Sequence, residues 1–245
     1  MRALRILLIV VVVLGVLFVV VDRVAVHFAE GEAAGKLKTT EGLASDPDVS
    51  INGFPFLTQV ASGTLDDIEV SIKDYDATTG TAGKTIRIDD LHADMKDVSF
   101  SGDYSSATAE SATGTALISY AELLKNARTA PTDMGLGFTG QVVGLADGGS
   151  GKIKVALDVT VPGVSAHQKV TVLSTVTVKD NTVQVHADNL PNLAGVSLIE
   201  NRFRQASDFQ QAIDQLPGGV QLDKVEAAPN GVEIAVKGSN VKLAG

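Results

Sequence analysis

Four histidines and two groups of acids are the side chains here whose types could do chemistry. Histidine titrates near neutrality and is the commonest imidazole ligand, so a catalytic or metal-binding chain is expected to group it. His27, His92, His167 and His186 are instead scattered, and none stands in the HxxxH or HExxH spacing that sets two imidazoles on one helix face. His186-Ala187-Asp188 puts two polar side chains on one face of a strand but brings no third ligand. These histidines read as surface residues. The acids Asp66, Asp67 and Glu69, and Asp89, Asp90, Asp94 and Asp97, offer the oxygen ligands calcium prefers but depart from EF-hand spacing; solvated strand edges and turns account for them. There is no GxSxG elbow and no Walker loop, and Gly135-Leu136-Gly137 is followed by neither a third glycine nor a convincing helix. With no cysteine in the chain, thiolate nucleophiles and Cys-type zinc sites are excluded. The expectation is a non-catalytic protein with no metal and no cofactor.

The elements that would have to position such residues begin with residues 6–21, sixteen consecutive positions without a polar side chain, preceded by Arg2 and Arg5 and followed at once by Asp22 and Arg23. A run of this length lies between the ~7 to 15 residues of a signal-peptide core and the ~20 of a comfortable membrane span. Positive charge without acid on the leading side, against the mixed Asp22, Arg23, Glu30 and Glu32 behind, directs the bulk of the chain outward. No clean small-x-small cleavage site follows, so residues 1–23 read as an uncleaved anchor. On this reading the protein is a single-pass plasma-membrane protein with its C-terminal domain outside the cytoplasm, periplasmic or cell-envelope facing, or secreted if the segment is cut.

The 20 basic residues include Arg2 and Arg5, so 18 face all 29 acids beyond the run, a net of about −11 that opposes phosphate-backbone binding. Nucleic acid is therefore not an expected partner. A 44% apolar content supplies one sizeable core, made mostly of Val, Ala, Leu and Ile, with 8 Phe, 3 Tyr and no Trp. That composition packs sheets and provides few stacking platforms for sugars or bases.

Residues 24–44 read as a helical lead-in weakened by Gly31 and Gly35, each costing about 1 kcal/mol relative to Ala. Residues 45–245 read as a single domain. After Asp46-Pro47 the pattern turns to period two: Val49 and Ile51; Ile68, Val70 and Ile72; Ile86 and Ile88, then less regularly Leu91, Ala93 and Met95. Residues 119–128 break that rhythm, with Ser119 and Glu122 in a capping-box pattern and Tyr120, Leu123, Leu124 and Ala127 on one face, which predicts a short amphipathic helix. The glycine-rich stretch that follows leaves residues 138–145 as its one strand, bounded by Asp147-Gly148-Gly149. The strongest alternation comes next: Ile153, Val155, Leu157, Val159 and Val161, then Val170, Val172, Val176 and Val178. A third strand, Val183, Val185 and Ala187, follows a turn at Lys179-Asp180-Asn181. Helical spacing returns through Val196, Ile199, Phe203 and Ala206. A second helical segment carries Phe209, Ala212, Ile213 and Leu216 and is stopped by Pro217-Gly218-Gly219. A hairpin around Pro229-Asn230-Gly231 closes the chain. The sum is an α+β protein: a highly curved, mostly antiparallel sheet wrapped around one or two helices and preceded by a transmembrane helix.

Residues 49–59 read VSINGFPFLTQ, and in that string the chain resembles the actinobacterial LmeA-like family of cell-envelope phospholipid-binding proteins. The N-terminal apolar helix, the passage Leu216-Pro217-Gly218-Gly219-Val220 and the closing hairpin with Gly231-Val232 and Gly238 are similar to that family too. The resemblance implies a fold like the tubular lipid-binding proteins, with acyl chains between helix and curved sheet. It also implies non-catalytic binding or transfer of phospholipid at the outer face of the plasma membrane, in support of envelope lipid or lipoglycan maintenance.

Under this reading the candidate lipid contacts are Phe54, Phe56, Leu57, Leu123, Phe138, Ile199 and Phe203. Each has a plainer alternative as core. Phe54 and Phe56 stand on a segment expected to enter a strand from a glycine turn, where they would plug a core or line the mouth of a groove. The partners implied are phospholipid or another acyl-chain lipid, and the plasma membrane through residues 6–21; an envelope protein partner would fit as well. The alternative function is a membrane-anchored scaffold for envelope glycan or lipoglycan enzymes.

Overall fold

The computed structural model describes residues 2–78, 85–103, 105–126, 131–135, 137–160, 167–179, 181–188, 209–212 and 219–244. Within them the elements run α1 (Arg2–Glu41), β1 (Asp48–Asn52), α2 (Phe56–Ser62), β2 (Thr64–Thr78), β3 (Thr85–Phe100), β4 (Ala107–Ser119), α3 (Tyr120–Asn126), β5 (Thr132–Gly135), β6 (Phe138–Gly149), β7 (Lys152–Thr160), β8 (His167–Lys179), β9 (Thr182–Ala187), β10 (Phe209–Ala212), β11 (Gln221–Ala228) and β12 (Gly231–Ala244). The architecture is α+β, with a long apolar N-terminal helix and two six-stranded sheets ordered β1-β2-β3-β4-β12-β11 and β10-β9-β8-β7-β6-β5. All five pairings of the second sheet are antiparallel, as are the β1–β2 and β11–β12 pairs of the first.

The chain divides into two compact units. One comprises Met1–Ile72, His92–Thr113 and Gly238–Gly245; the other comprises Lys73–Leu91 and Gly114–Lys237.

In the first unit, α1 runs unbroken through Gly31 and Gly35, so the anchor and the lead-in form one helix. Tertiary contacts outweigh the local glycine cost there: Val26 is buried, and Glu30 Oε1 accepts the Ile51 N–H of β1 at 2.9 Å. Strand β1 lies antiparallel to β2 with Val49 opposite Val70 and Ile51 opposite Ile68. Strand β4, whose row of Ala, Thr and Ser carries little hydrophobic signal, is specified by its place beside β3; Ala107, Ala109 and Ala112 are buried along it.

In the second unit the alternation of β7 and β8 is met residue by residue. Val155 faces Val172 and Leu157 faces Val170, while β8 pairs Val176 with Val185 and Val178 with Val183 of β9. Two apolar clusters result. One holds Val159, Val170, Val172 and Ala187; the other holds Tyr120, Ile153, Val176, Val225 and Val232. Helix α3 begins where the capping box places it, with the Glu122 N–H donated to Ser119 Oγ at 3.4 Å, and the Tyr120 hydroxyl donates to the Ala228 carbonyl at 2.8 Å. Strand β6 contains register shifts between Val142 and Gly144 and between Asp147 and Gly149. The first leaves Val143 as an extra residue, which explains why that apolar side chain is exposed.

Three expectations are corrected. The Phe54-to-Leu57 segment opens helix α2 instead of entering a strand. The glycine-rich stretch holds a second strand, β5. Phe209–Ala212, expected on a helix, is strand β10, because it pairs antiparallel with β9 from Phe209↔Val185 to Ala212↔Thr182 and ladder hydrogen bonds replace the local helical pattern. The helix expected around Ile199 and Phe203 lies outside the described residues.

Candidate functional site

The Gly53-Phe54-Pro55-Phe56-Leu57 segment is built against the anchor helix. Gly53 has φ 98°, and a Cβ there would collide with the side chains of Gln59 and Asp66, so both backbone and space require glycine. The Phe54–Pro55 bond is cis. Pro55 stands at the N-cap of α2 in extended conformation, with no side chain of its own to satisfy the free N–H groups of the first turn. Asp22 of α1 does so from 35 residues away: its Oδ1 accepts the Leu57 N–H at 2.8 Å, and its carboxylate also receives the Phe56 N–H. An anion at a helix N-terminus is favoured by the peptide dipoles as well as by the bonds. Asp22 is fully buried, and its second oxygen takes Arg23 Nη2 at 2.5 Å and Nε at 3.2 Å.

Arg23 continues outward from that pair. Its Nη2 reaches the Gly53 carbonyl at 3.4 Å and its guanidinium carbon lies 5.2 Å from the centre of the Phe54 ring, a cation–π contact. At the other end α2 closes on Gly63, left-handed at φ 75°, whose N–H meets the Gln59 and Val60 carbonyls. Gln59 Oε1 accepts the Asp66 N–H at 2.8 Å and so ties the helix to β2.

The two phenylalanines therefore divide. Phe56 is 7% exposed and belongs to the core of the first unit; Phe54 is 57% exposed beside Arg23. Leu57, the second residue of α2, is half-buried. Leu123 lies on α3 in the second unit, packed against the cluster of Tyr120, Ile153, Val176, Val225 and Val232. Phe138 opens β6. Ile199 and Phe203 lie outside the described residues.

Around that second-unit cluster stands a margin of partly buried aliphatic side chains: Leu123, Leu145, Val155, Val178, Val183, Val185, Ala227 and Ile234. They come from α3 and from strands of both sheets, and all are aliphatic. Such a surface offers dispersion contacts and exclusion of water and no hydrogen-bond code, which suits hydrocarbon.

Several of the polar groups singled out in the sequence are held by neighbours. His92 Nδ1 lies 2.8 Å from Ser71 Oγ across β2 and β3, and His27 is an exposed residue 3.8 Å from Glu30 on α1. Asp188 takes Lys152 at 2.8 Å and Thr175 Oγ1 at 2.8 and 2.9 Å. The Lys152 ammonium, with help from Thr175, holds that carboxyl below the usual carboxylate range. Oxygens of Asp67, Glu69 and Asp94 gather within 4.8 Å of one another. Lys96 Nζ reaches Asp67 at 3.0 Å and Asp94 at 3.3 Å, and Asn52 Nδ2 donates to Asp67 and Glu69, so an ammonium supplies counter-charge and an amide supplies hydrogen bonds. The Asp67 and Asp94 carboxylates in turn raise the Lys96 pKa above its ordinary value.

Asp22 and Glu30 are the positioning residues that sequence reasoning passed over. Both looked like flanking charges; the available signal was a carboxylate directly behind an apolar run, where an unsatisfied charge would be costly. Among curated proteins and among solved structures nothing matches the chain. A family model described as LmeA-like phospholipid-binding matches residues 20–237, from the last turn of the apolar run through strand β12's first half. With the match covering most of its length, the chain belongs to the LmeA-like phospholipid-binding family.

Proposed function

We propose that the protein binds phospholipid by its acyl chains, without turnover, at the outer face of the plasma membrane, tethered there by residues 6–21. The observation that carries this reading is the aliphatic margin of the second unit, eight partly buried hydrophobic side chains packed against its core. Each methylene removed from water there is worth about 0.8 kcal/mol, so even half an acyl chain supplies several kcal/mol before ordering costs. Leu123 belongs to that margin, and Phe138, Ile199 and Phe203 are proposed as further acyl-chain contacts from the sequence. Phe54, Phe56 and Leu57 are proposed to act where lipid meets the membrane side of the first unit. Binding of this kind serves the holding or transfer of phospholipid during maintenance of envelope lipid or lipoglycan.

The test uses the full chain in nanodiscs containing a phospholipid with a photoreactive group at its acyl terminus, followed by mass spectrometry of the labelled peptides. Adducts on α3, β7, β8 and β9 are the expected result. Labelling confined to residues 6–21 would place the lipid only in the surrounding bilayer and would refute the proposal.

A further inference from the structure

The apolar run is short for a bilayer. Sixteen helical residues rise about 24 Å, against a hydrocarbon core of about 30 Å. The structure shows what stands at the end where the run stops. Val24 is 65% exposed and Phe28 74% exposed, and with Leu17 and Val21 they follow the i, i+3, i+4 spacing of a single helical stripe. The opposite face, Asp22, Val26 and Glu30, packs into the first unit. The polar pair behind the run thus does not end its apolar stripe. Asp22 turns inward, where the Leu57 N–H and Arg23 satisfy it, so no bare carboxylate faces lipid at that level.

At the same level the protein presents a second apolar group. Arg23 lies two residues, about 3 Å, beyond the last residue of the run, inside the interfacial layer of several Å that flanks the hydrocarbon. Its guanidinium is stacked on the exposed Phe54 ring. Held on one edge by Asp22 and the Gly53 carbonyl but 46% exposed, the arginine side chain can present its charge to lipid phosphates while its aromatic neighbour sits at the acyl boundary, which is how amphipathic side chains share an interface.

We infer that Phe54, with Val24 and Phe28, is a second membrane-contact element: it enters the interfacial layer of the same phospholipid bilayer that holds residues 6–21, and Arg23 engages lipid phosphate beside it. The inference rests on the reading of residues 6–21 as a span. Continuity with that span points to the partner, since Asp22 fastens the start of α2 one residue past its end and so keeps Phe54 near the membrane surface.

Because the chain has no cysteine, single positions can be labelled cleanly. Four single-cysteine variants, V10C, F28C, A44C and F54C, all at exposed positions, carry an environment-sensitive fluorophore on the full chain in vesicles of phosphatidylcholine with a minority of phosphatidylglycerol. Quenchers are a nitroxide near the lipid headgroup, a nitroxide at mid-chain, and aqueous iodide. Position 10 is expected to respond to the mid-chain nitroxide, positions 28 and 54 to the headgroup nitroxide several-fold more than position 44, and position 44 to iodide. If position 10 responds as expected while 28 and 54 are open to iodide and insensitive to lipid nitroxide, the span stands and the second contact is overturned. If position 10 itself is reached only by iodide, the span reading fails and the inference goes with it.

Discussion

A carboxylate that caps a helix belonging to another part of the chain makes a specific demand on its neighbours. Asp22→Ala would leave the Leu57 N–H without its acceptor in a buried setting, so amide exchange at Phe56 and Leu57 should quicken and the thermal midpoint should fall. Asp22→Asn keeps a carbonyl acceptor and should lose less. The phenylalanines separate in the same way: Phe56→Ala, a truncation in a filled site, should cost about 3 to 5 kcal/mol in denaturant unfolding. Phe54→Ala at its exposed position should stay within about 0.5 kcal/mol. Equal losses at the two sites would contradict the division between core and surface. Asp103 supplies a pH signature. Hydroxyls of Ser101 and Ser105, with the Ser105 N–H, hold its pKa at about 2, below the ordinary 3.8. A carboxyl with a depressed folded-state pKa contributes stability that is complete above the ordinary value and lost as pH falls toward 2. Thermal melts across that acid window should therefore flatten in Asp103→Asn relative to the parent.

At the scale of elements, α1 is one whose local preferences and tertiary role disagree. Gly31 and Gly35 are exposed, helical, and have open space where a Cβ would stand. Replacing each by Ala should stabilise the helix by about 1 kcal/mol, readable as increased helical ellipticity and slower amide exchange between residues 28 and 38. If both substitutions weakened the protein instead, those glycines would be serving a close contact that the structure does not show. Helix α2 shows tertiary support outweighing local preference more strongly still. Seven residues are too few for a stable isolated helix, and it exists because its ends are closed by Asp22 and Gly63 and its middle is tied down by Gln59.

For the whole molecule, membership in a phospholipid-binding family and an aliphatic margin on a buried core are the two supports of the proposed acyl-chain binding. A charge placed in that margin should separate binding from folding better than a core change. Leu123→Glu, at a partly buried position of α3, is expected to lower acyl photolabelling of the second unit several-fold while leaving photolabelling of residues 6–21 unchanged. Loss of both would indicate a collapsed protein, and retention of both would remove α3 from the lipid surface.

Local pattern settled a good part of this molecule. The apolar run, the α3 capping box, the β7–β8–β9 alternation and the closing hairpin are carried by residues within a few positions of one another, where helix and strand periodicities act directly. Only the tertiary structure decided that Asp22 is a buried cap for Leu57, that α2 starts at Phe56, that the alanine-rich β4 is a strand, and that Phe209–Ala212 pairs with β9 and leaves the helical pattern unused. Each of these depends on a partner far along the chain. A hydrogen bond between groups 35 residues apart has no counterpart in the spacing of neighbouring side chains, so it is specified by packing and cannot be read from the order of residues.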